Sequence, residues 1–135
     1  MIDSILLIDD SPSDNFIHRK VIEHAGLNME TVIKHDGEQA MNYLRDTHGT
    51  HKYPSLIFLD INMPKMNGWE FLEAFNQLPE QDKQAYVVTM LTTSMNPQDH
   101  EKADKYDLVS DYINKPLTQE IFQHLVKRYF PEEFN

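Results

Sequence analysis

Five short runs of aliphatic and β-branched residues, at 5–8, 31–34, 56–59, 86–91 and more weakly 111–113, recur along the chain with helix-like stretches between them. Strands that alternate with helical patterns imply βα units, because parallel strands need a crossover and the crossover is usually a helix. Two of the runs, Ile5-Leu6-Leu7-Ile8 and Leu56-Ile57-Phe58-Leu59, have no polar alternate position at all. Strands of that kind are covered on both faces. The expectation is an α/β fold in which a parallel five-stranded sheet lies between two layers of helices.

The stretches between the runs carry helix starts. Ser13 is read as the N-cap of a first helix that turns Phe16, Ile17, Val21 and Ala25 to one side and ends at Gly26. Asp36 and Gln39 have capping-box spacing ahead of Ala40, Tyr43 and Leu44. Asn67 and Gly68 precede Trp69, Leu72 and Phe75, which share a face at i, i+3 and i+6. Pro97 opens a polar segment reaching about Tyr106, and Thr118 precedes the stripe Ile121, Phe122, Leu125 and Tyr129. All these stripes are read as core packing. Segment 46–54 is rich in turn formers and is read as a surface loop. Its His48 and His51 have no further metal ligand nearby and are read as solvated side chains.

The 135 residues, 40% hydrophobic and 25% charged, fit one compact domain over 1–135, with a core of about 3–130 and a short tail at 131–135. No output domain is expected. Twelve basic against 22 acidic residues leave a formal charge of -10, a mean field that repels nucleic acid and anionic membrane surfaces. Cysteine is absent, which excludes disulfides and thiolate metal sites. The start of the chain lacks a secretory pattern, and its aliphatic runs fall far short of the roughly 18 residues a membrane helix needs. A cytoplasmic protein is expected.

Open α/β sheets bind ligands at the carboxyl ends of their strands, so the residues directly after each run are the ones to inspect. Asp9 and Asp10 follow the first run, Asp60 the third, Thr92 and Thr93 the fourth, and Lys115-Pro116 the fifth. Each is unremarkable alone: Asp9-Asp10 as a helix cap, Lys115-Pro116 as a turn, Thr92-Thr93-Ser94 as a strand-to-helix corner. Together and in this order they describe one polar pocket. Three carboxylates side by side repel one another unless a cation is present. An all-oxygen donor set favours a hard metal, Mg2+ before Ca2+. Lys115 and Thr92 suit the oxygens of a phosphoryl group, and Asp60 suits the nucleophile of an aspartyl phosphate.

Four segments resemble the receiver domain of bacterial response regulators: Ile-Leu-Leu-Ile-Asp-Asp-Ser at 5–11, Phe-Leu-Asp-Ile-Asn-Met-Pro-Lys-Met-Asn-Gly at 58–68, Leu-Thr-Thr-Ser at 91–94, and Asp-Tyr-Ile-Asn-Lys-Pro-Leu at 111–117. The resemblance runs from Ile5 to about Phe130. It implies a flavodoxin-like (βα)5 sandwich with strand order 2-1-3-4-5 and phosphorylation of Asp60. It implies Mg2+ ligands from Asp10, Asp60 and the Asn62 backbone carbonyl, with Asp9 acting partly through water. Thr92 and Lys115 would contact the phosphoryl group, and Lys115-Pro116 would be a cis peptide. Switching would draw the Thr92 hydroxyl inward while Tyr112 turns in, shifting the surface made by the fourth helix, fifth strand and fifth helix. Trp69 would serve either as a probe of the site or as a core aromatic.

The Leu-Thr-Thr-Ser-x-Asn-Pro run and the long 46–54 segment resemble small single-domain regulators that partner hybrid or phytochrome-like histidine kinases. In the family, the positions of Asn62 and Ser94 influence how fast phosphate is lost. The implied partners are a sensor or hybrid histidine kinase, or a histidine phosphotransfer protein. The signal would leave through an unknown downstream protein, through homodimerisation, or through a relay. Such a protein is no enzyme beyond its own phosphorylation and dephosphorylation. Three rivals fit less well. A haloacid dehalogenase-type phosphatase needs Asp-x-Asp-x-Thr, whereas Asn62 stands at the second carboxylate. A flavodoxin needs a phosphate cradle where Asp9-Asp10 would repel the phosphate. A receiver-like module without phosphorylation would lack one of the acidic, threonine or lysine positions.

Overall fold

The computed structural model describes residues 4–27, 29–47, 55–83 and 87–134. His48, His51 and Tyr86 lie outside the described residues. The strands are β1 (Ser4–Ile8), β2 (Glu30–Lys34), β3 (Leu56–Leu59), β4 (Val87–Thr92) and β5 (Val109–Asn114). All pair in parallel in the order β2-β1-β3-β4-β5, the order the resemblance implied.

Helices α1 (Pro12–His24), α2 (Gly37–Thr47), α3 (Gly68–Asn76), α4 (Glu80–Lys83), α5 (Pro97–Asp104) and α6 (Gln119–Tyr129) connect the strands, and a 3-10 turn follows at Pro131–Phe134. The single-turn α4 was not expected, so the anticipated fourth and fifth helices are α5 and α6.

The period-2 pleat divides the apolar strand residues between two cores. Leu6, Ile8, Ile57, Leu59 and Met90 pack with Ala40, Leu44, Phe71, Leu72, Phe75 and Ala103 from α2, α3 and α5. Ile5, Leu7, Phe58 and Leu91 pack with Ile22, Phe122, Leu125 and Val126 from α1 and α6. Burial on both faces is why β1 and β3 carry unbroken aliphatic runs. Truncating a fully buried ring such as Phe122 to alanine would cost about 3–5 kcal/mol.

Several local expectations are corrected. The N-cap of α1 is Ser11, not Ser13: its hydroxyl accepts from the Asp14 amide at 3.2 Å, and Pro12 occupies the first turn. The inward face of α1 is as expected at Val21 and Ala25, which pack against the core, but differs in the first turns. Phe16 and Ile17 are 63% and 48% exposed, whereas Asn15, His18 and Ile22 are buried. At α2, the Asp36 carboxylate accepts from the Gln39 amide at 2.8 Å, but Gln39 Oε1 accepts from the His35 amide rather than from Asp36. The box is therefore displaced by one residue. Asp46 and Thr47 belong to the last turn of α2, where the Thr47 hydroxyl donates to the Tyr43 carbonyl at 2.7 Å. The surface-loop expectation for 46–54 thus fails at its first two positions, and 48–54 lie outside the described residues.

Asn67 caps α3 through a reciprocal box with Glu70, and Thr118 caps α6. Trp69 is half-buried and stacks on Tyr106 at 6.1 Å between ring centroids, tying α3 to the segment after α5. Helix α5 ends at Asp104, two residues short of the expected Tyr106.

Candidate functional site

The carboxyl ends of β1, β3 and β5 deliver Asp9, Asp60 and Lys115 to one place because the strands run parallel, with β1 next to the central β3 and β5 two positions beyond it. Asp9 and Asp60 are fixed by the ladder itself. The Asp9 amide donates to the Lys34 carbonyl and the Asp60 amide to the Ile8 carbonyl, each at 3.0 Å. Asp9 is further held where its Oδ1 accepts from the Ser11 amide at 3.0 Å. Both carboxylates are buried, while Asp10 stands exposed at the rim.

Lys115 reaches into this acidic group from the end of β5. Its ammonium lies 2.7 Å from Asp9 Oδ2, 2.8 Å from Asp14 Oδ2 and 3.7 Å from Asp60 Oδ2. The Lys115 amide donates to the Thr92 carbonyl at 2.8 Å, and the Lys115-Pro116 bond is cis. Burial works against the charge on Lys115, but hydrogen bonds to Asp14 and Asp9 outweigh it and raise its pKa.

Asp60 is not satisfied by this arrangement. Burial first, and then the charge of Asp9, push its pKa up to about 6 against the opposing pull of Lys115. Oxygens of Asp9, Asp10 and Asp60 all lie within 4.8 Å of one another. One ammonium offsets only part of that charge, and an additional cation would offset more. The donors are all carboxylates, so the residues present fit a hard divalent ion.

Other expected residues stand nearby in less committed positions. Thr92 is fully buried, and its hydroxyl accepts from the Ser94 amide at 3.1 Å. Ser94 also pairs with Asp99 through a 2.5 Å hydrogen bond. Tyr112 is half-buried, its hydroxyl near Ser94 but outside hydrogen-bond geometry, and burial raises its pKa. The Tyr112 ring meets His100 of α5 edge-on at 4.8 Å. Asn62 is exposed in the β3–α3 loop, where Lys65 adopts a positive φ of 62° and the Met66 carbonyl accepts from the Gly37 amide.

Sequence reasoning missed the contribution of α1. Asp14 touches Lys115, the Asn15 amide group donates to the Asp9 carbonyl at 2.9 Å, and His18 is buried along the same side. Burial first, and then the charge of Lys115, lower the His18 pKa. The available signal was the spacing 15, 18, 22, which puts two polar residues on the face that an apolar count would have assigned elsewhere.

A family model described as response regulator receiver domain matches residues 5–127. Response regulator Rcp1 of Synechocystis is 36% identical over 97 residues, a match covering 70% of this chain and 65% of Rcp1. The chain thus spans less than two thirds of Rcp1 in that match. A two component response regulator from Cytophaga hutchinsonii superposes with a TM-score of 0.82 at 36% identity, covering 94% of this chain and 96% of the other. A Mn(2+)-bound form of Rcp1 gives 0.75 at 28% identity over 95% and 94% of the two chains. A phosphorylated cyanobacterial phytochrome response regulator, RcpA, gives 0.76 at 29% identity over 98% and 96%. Fold and strand order agree with these matches, and this chain belongs to the response regulator receiver domain family of two-component signalling.

Proposed function

We propose that residues 1–135 form one receiver domain that accepts a phosphoryl group on Asp60 from a histidine kinase, sensor or hybrid, or from a histidine phosphotransfer protein. The observation that carries this reading is the convergence of the Asp9, Asp10 and Asp60 carboxylates, with the Lys115 ammonium against Asp9 and 3.7 Å from Asp60. An Asp60 oxygen attacks phosphorus, the new O–P bond forms, and the bond from phosphorus to the donor nitrogen breaks. The electron pair returns to that nitrogen, which takes up a proton. Dephosphorylation is attack of water on the same phosphorus, releasing phosphate and the free carboxylate.

Magnesium bound by Asp9, Asp10, Asp60 and the Asn62 carbonyl would neutralise charge on the transferring oxygens. Lys115 balances the same charge from the β5 side, and Thr92 turns its hydroxyl from Ser94 toward the phosphoryl group. Tyr112 follows Thr92, so that the surface of α5, β5 and α6 shifts between two populations. That surface, read by a downstream protein or by a second copy of the chain, is the output in a cytosolic setting without nucleic acid or membrane. The domain acts on no substrate beyond its own aspartate. Among the similar structures, a Mn(2+)-bound Rcp1 and a phosphorylated RcpA support the metal and the modification.

Incubation with acetyl phosphate or phosphoramidate and Mg2+, followed by intact mass, tests the reading. Wild type is expected to gain one phosphate and Asp60→Asn none. No gain on wild type, under conditions that phosphorylate other receivers, returns the chain to a binding module.

A further inference from the structure

The Lys115 ammonium makes hydrogen-bond contact with Asp9 and Asp14, at 2.7 and 2.8 Å, yet remains 3.7 Å from Asp60. Asp9 sits at a strand end beside Asp60, so its hold on Lys115 keeps the ammonium within the pocket. Asp14 is different because it comes from the third position of α1 and not from a strand end. Its backbone is set by the Ser11 cap, and its side chain is 34% exposed against 8% for Lys115. The hydrogen bond to Lys115, opposed by burial, lowers the Asp14 pKa, so the acid is ionised at neutral pH.

Resting on the phosphorylation reading above, we propose that Asp14 is a positioning residue: it draws the Lys115 ammonium toward α1 and sets how readily that ammonium reaches Asp60 and an incoming phosphoryl group. A lysine ammonium is a compact charge on a flexible stem, so it follows whichever acceptors surround it. In the unmodified protein two carboxylates within 2.8 Å compete against one at 3.7 Å. Phosphorylation would reverse that balance by adding charged oxygens at Asp60. Asp14 therefore restrains the step in which Lys115 moves, and the restraint is strongest before the donor arrives.

Removing the negative charge while keeping the shape loosens the hold on the lysine. Asp14→Asn is expected to raise the rate of phosphorylation by acetyl phosphate by about fivefold, the scale of a partly exposed ion pair. Asp14→Glu, which keeps a carboxylate on the same helix turn, is expected to stay within about twofold of wild type. Loss of a negative charge could also speed an anionic donor through the general field, and that effect is screened by salt. The acceleration in Asp14→Asn is therefore measured at low salt and at about 0.5 M, with Glu23→Gln on the exposed outer side of α1 as a charge-matched control. Acceleration that persists in salt and is absent from Glu23→Gln supports the proposal. Equal rates for wild type and Asp14→Asn, or a gain that disappears in salt or recurs in Glu23→Gln, overturn it while leaving phosphorylation of Asp60 intact. Absence of phosphate on every variant overturns both readings.

Discussion

Gly68 packs against the backbone of Asp60 with no space for a side chain: a Cβ there would overlap the Asp60 carbonyl oxygen and approach Ile61 Cα at 2.9 Å. The Gly68 amide donates to the Ile61 carbonyl at 2.8 Å, which joins the first turn of α3 to the backbone that carries Asp60. Both obstacles are backbone, so neither can swing aside. Gly68→Ala is expected to destabilise the fold by about 1–3 kcal/mol, seen as a lower Tm, and to slow phosphorylation by displacing Asp60. An unchanged Tm would show that the loop has room the packing denies.

Serine caps separate two adjacent possibilities at the start of α1. Ser11→Ala removes the acceptor for the Asp14 amide and is expected to cost about 1 kcal/mol in urea unfolding. Ser13→Ala, inside the helix and exposed, is expected to change stability by less than about 0.5 kcal/mol. Comparable losses in both would count against Ser11 as the cap.

Acidity at Asp60 makes stability depend on pH in a defined window. The folded chain holds the Asp60 proton to about pH 6, whereas the unfolded chain releases it near 3.8. Between those values the folded state binds more protons, so this group's contribution falls as pH rises and then levels off. Asp60→Asn does not titrate. Without divalent cations it is expected to exceed wild type in stability by on the order of 2 kcal/mol above about pH 6, with no such gap opening below about pH 4. Urea unfolding in chelator across that range checks the sign. A gap that grows toward acid would contradict it.

Magnesium should act on the same acidic group. At a hundredfold excess over its dissociation constant it is expected to stabilise wild type by about 2.7 kcal/mol. Asp10→Asn and Asp60→Asn should show a much smaller rise in Tm, and sodium at matched ionic strength little in any variant. An equal magnesium response in all three proteins would place the ion elsewhere.

The parallel sheet and the acidic pocket were legible in the sequence because each feature depends on short-range pattern. Unbroken runs such as Leu56-Ile57-Phe58-Leu59 record burial on both faces, and Asp9, Asp60 and Lys115 follow their strands directly. Helix α1 was misread for a physical reason. Its inner face lies over a polar pocket as well as a core, so Asn15 and His18 are buried while Phe16 and Ile17 face out. Hydrophobic counting places Val21 and Ala25 against the core but misassigns the first turns of such a helix, and Asp14 was missed with them. Strand β5 extends from Val109 to Asn114, three residues longer than its weak pattern implied. It is the edge of the sheet, half-exposed, and a register irregularity at Val88/Thr89 offsets its pairing with β4. Neither property leaves a strong periodic signal.

The most direct test of the central claim is to locate the phosphoryl group chemically. Borohydride reduces an aspartyl phosphate to homoserine, and peptide mass spectrometry then identifies the residue. After treatment with acetyl phosphate and magnesium, homoserine is expected at position 60 and nowhere else, and absent from Asp60→Asn. Homoserine at Asp9, Asp10 or Asp14, or none in a sample that has gained phosphate mass, would contradict the assignment of Asp60 as the acceptor.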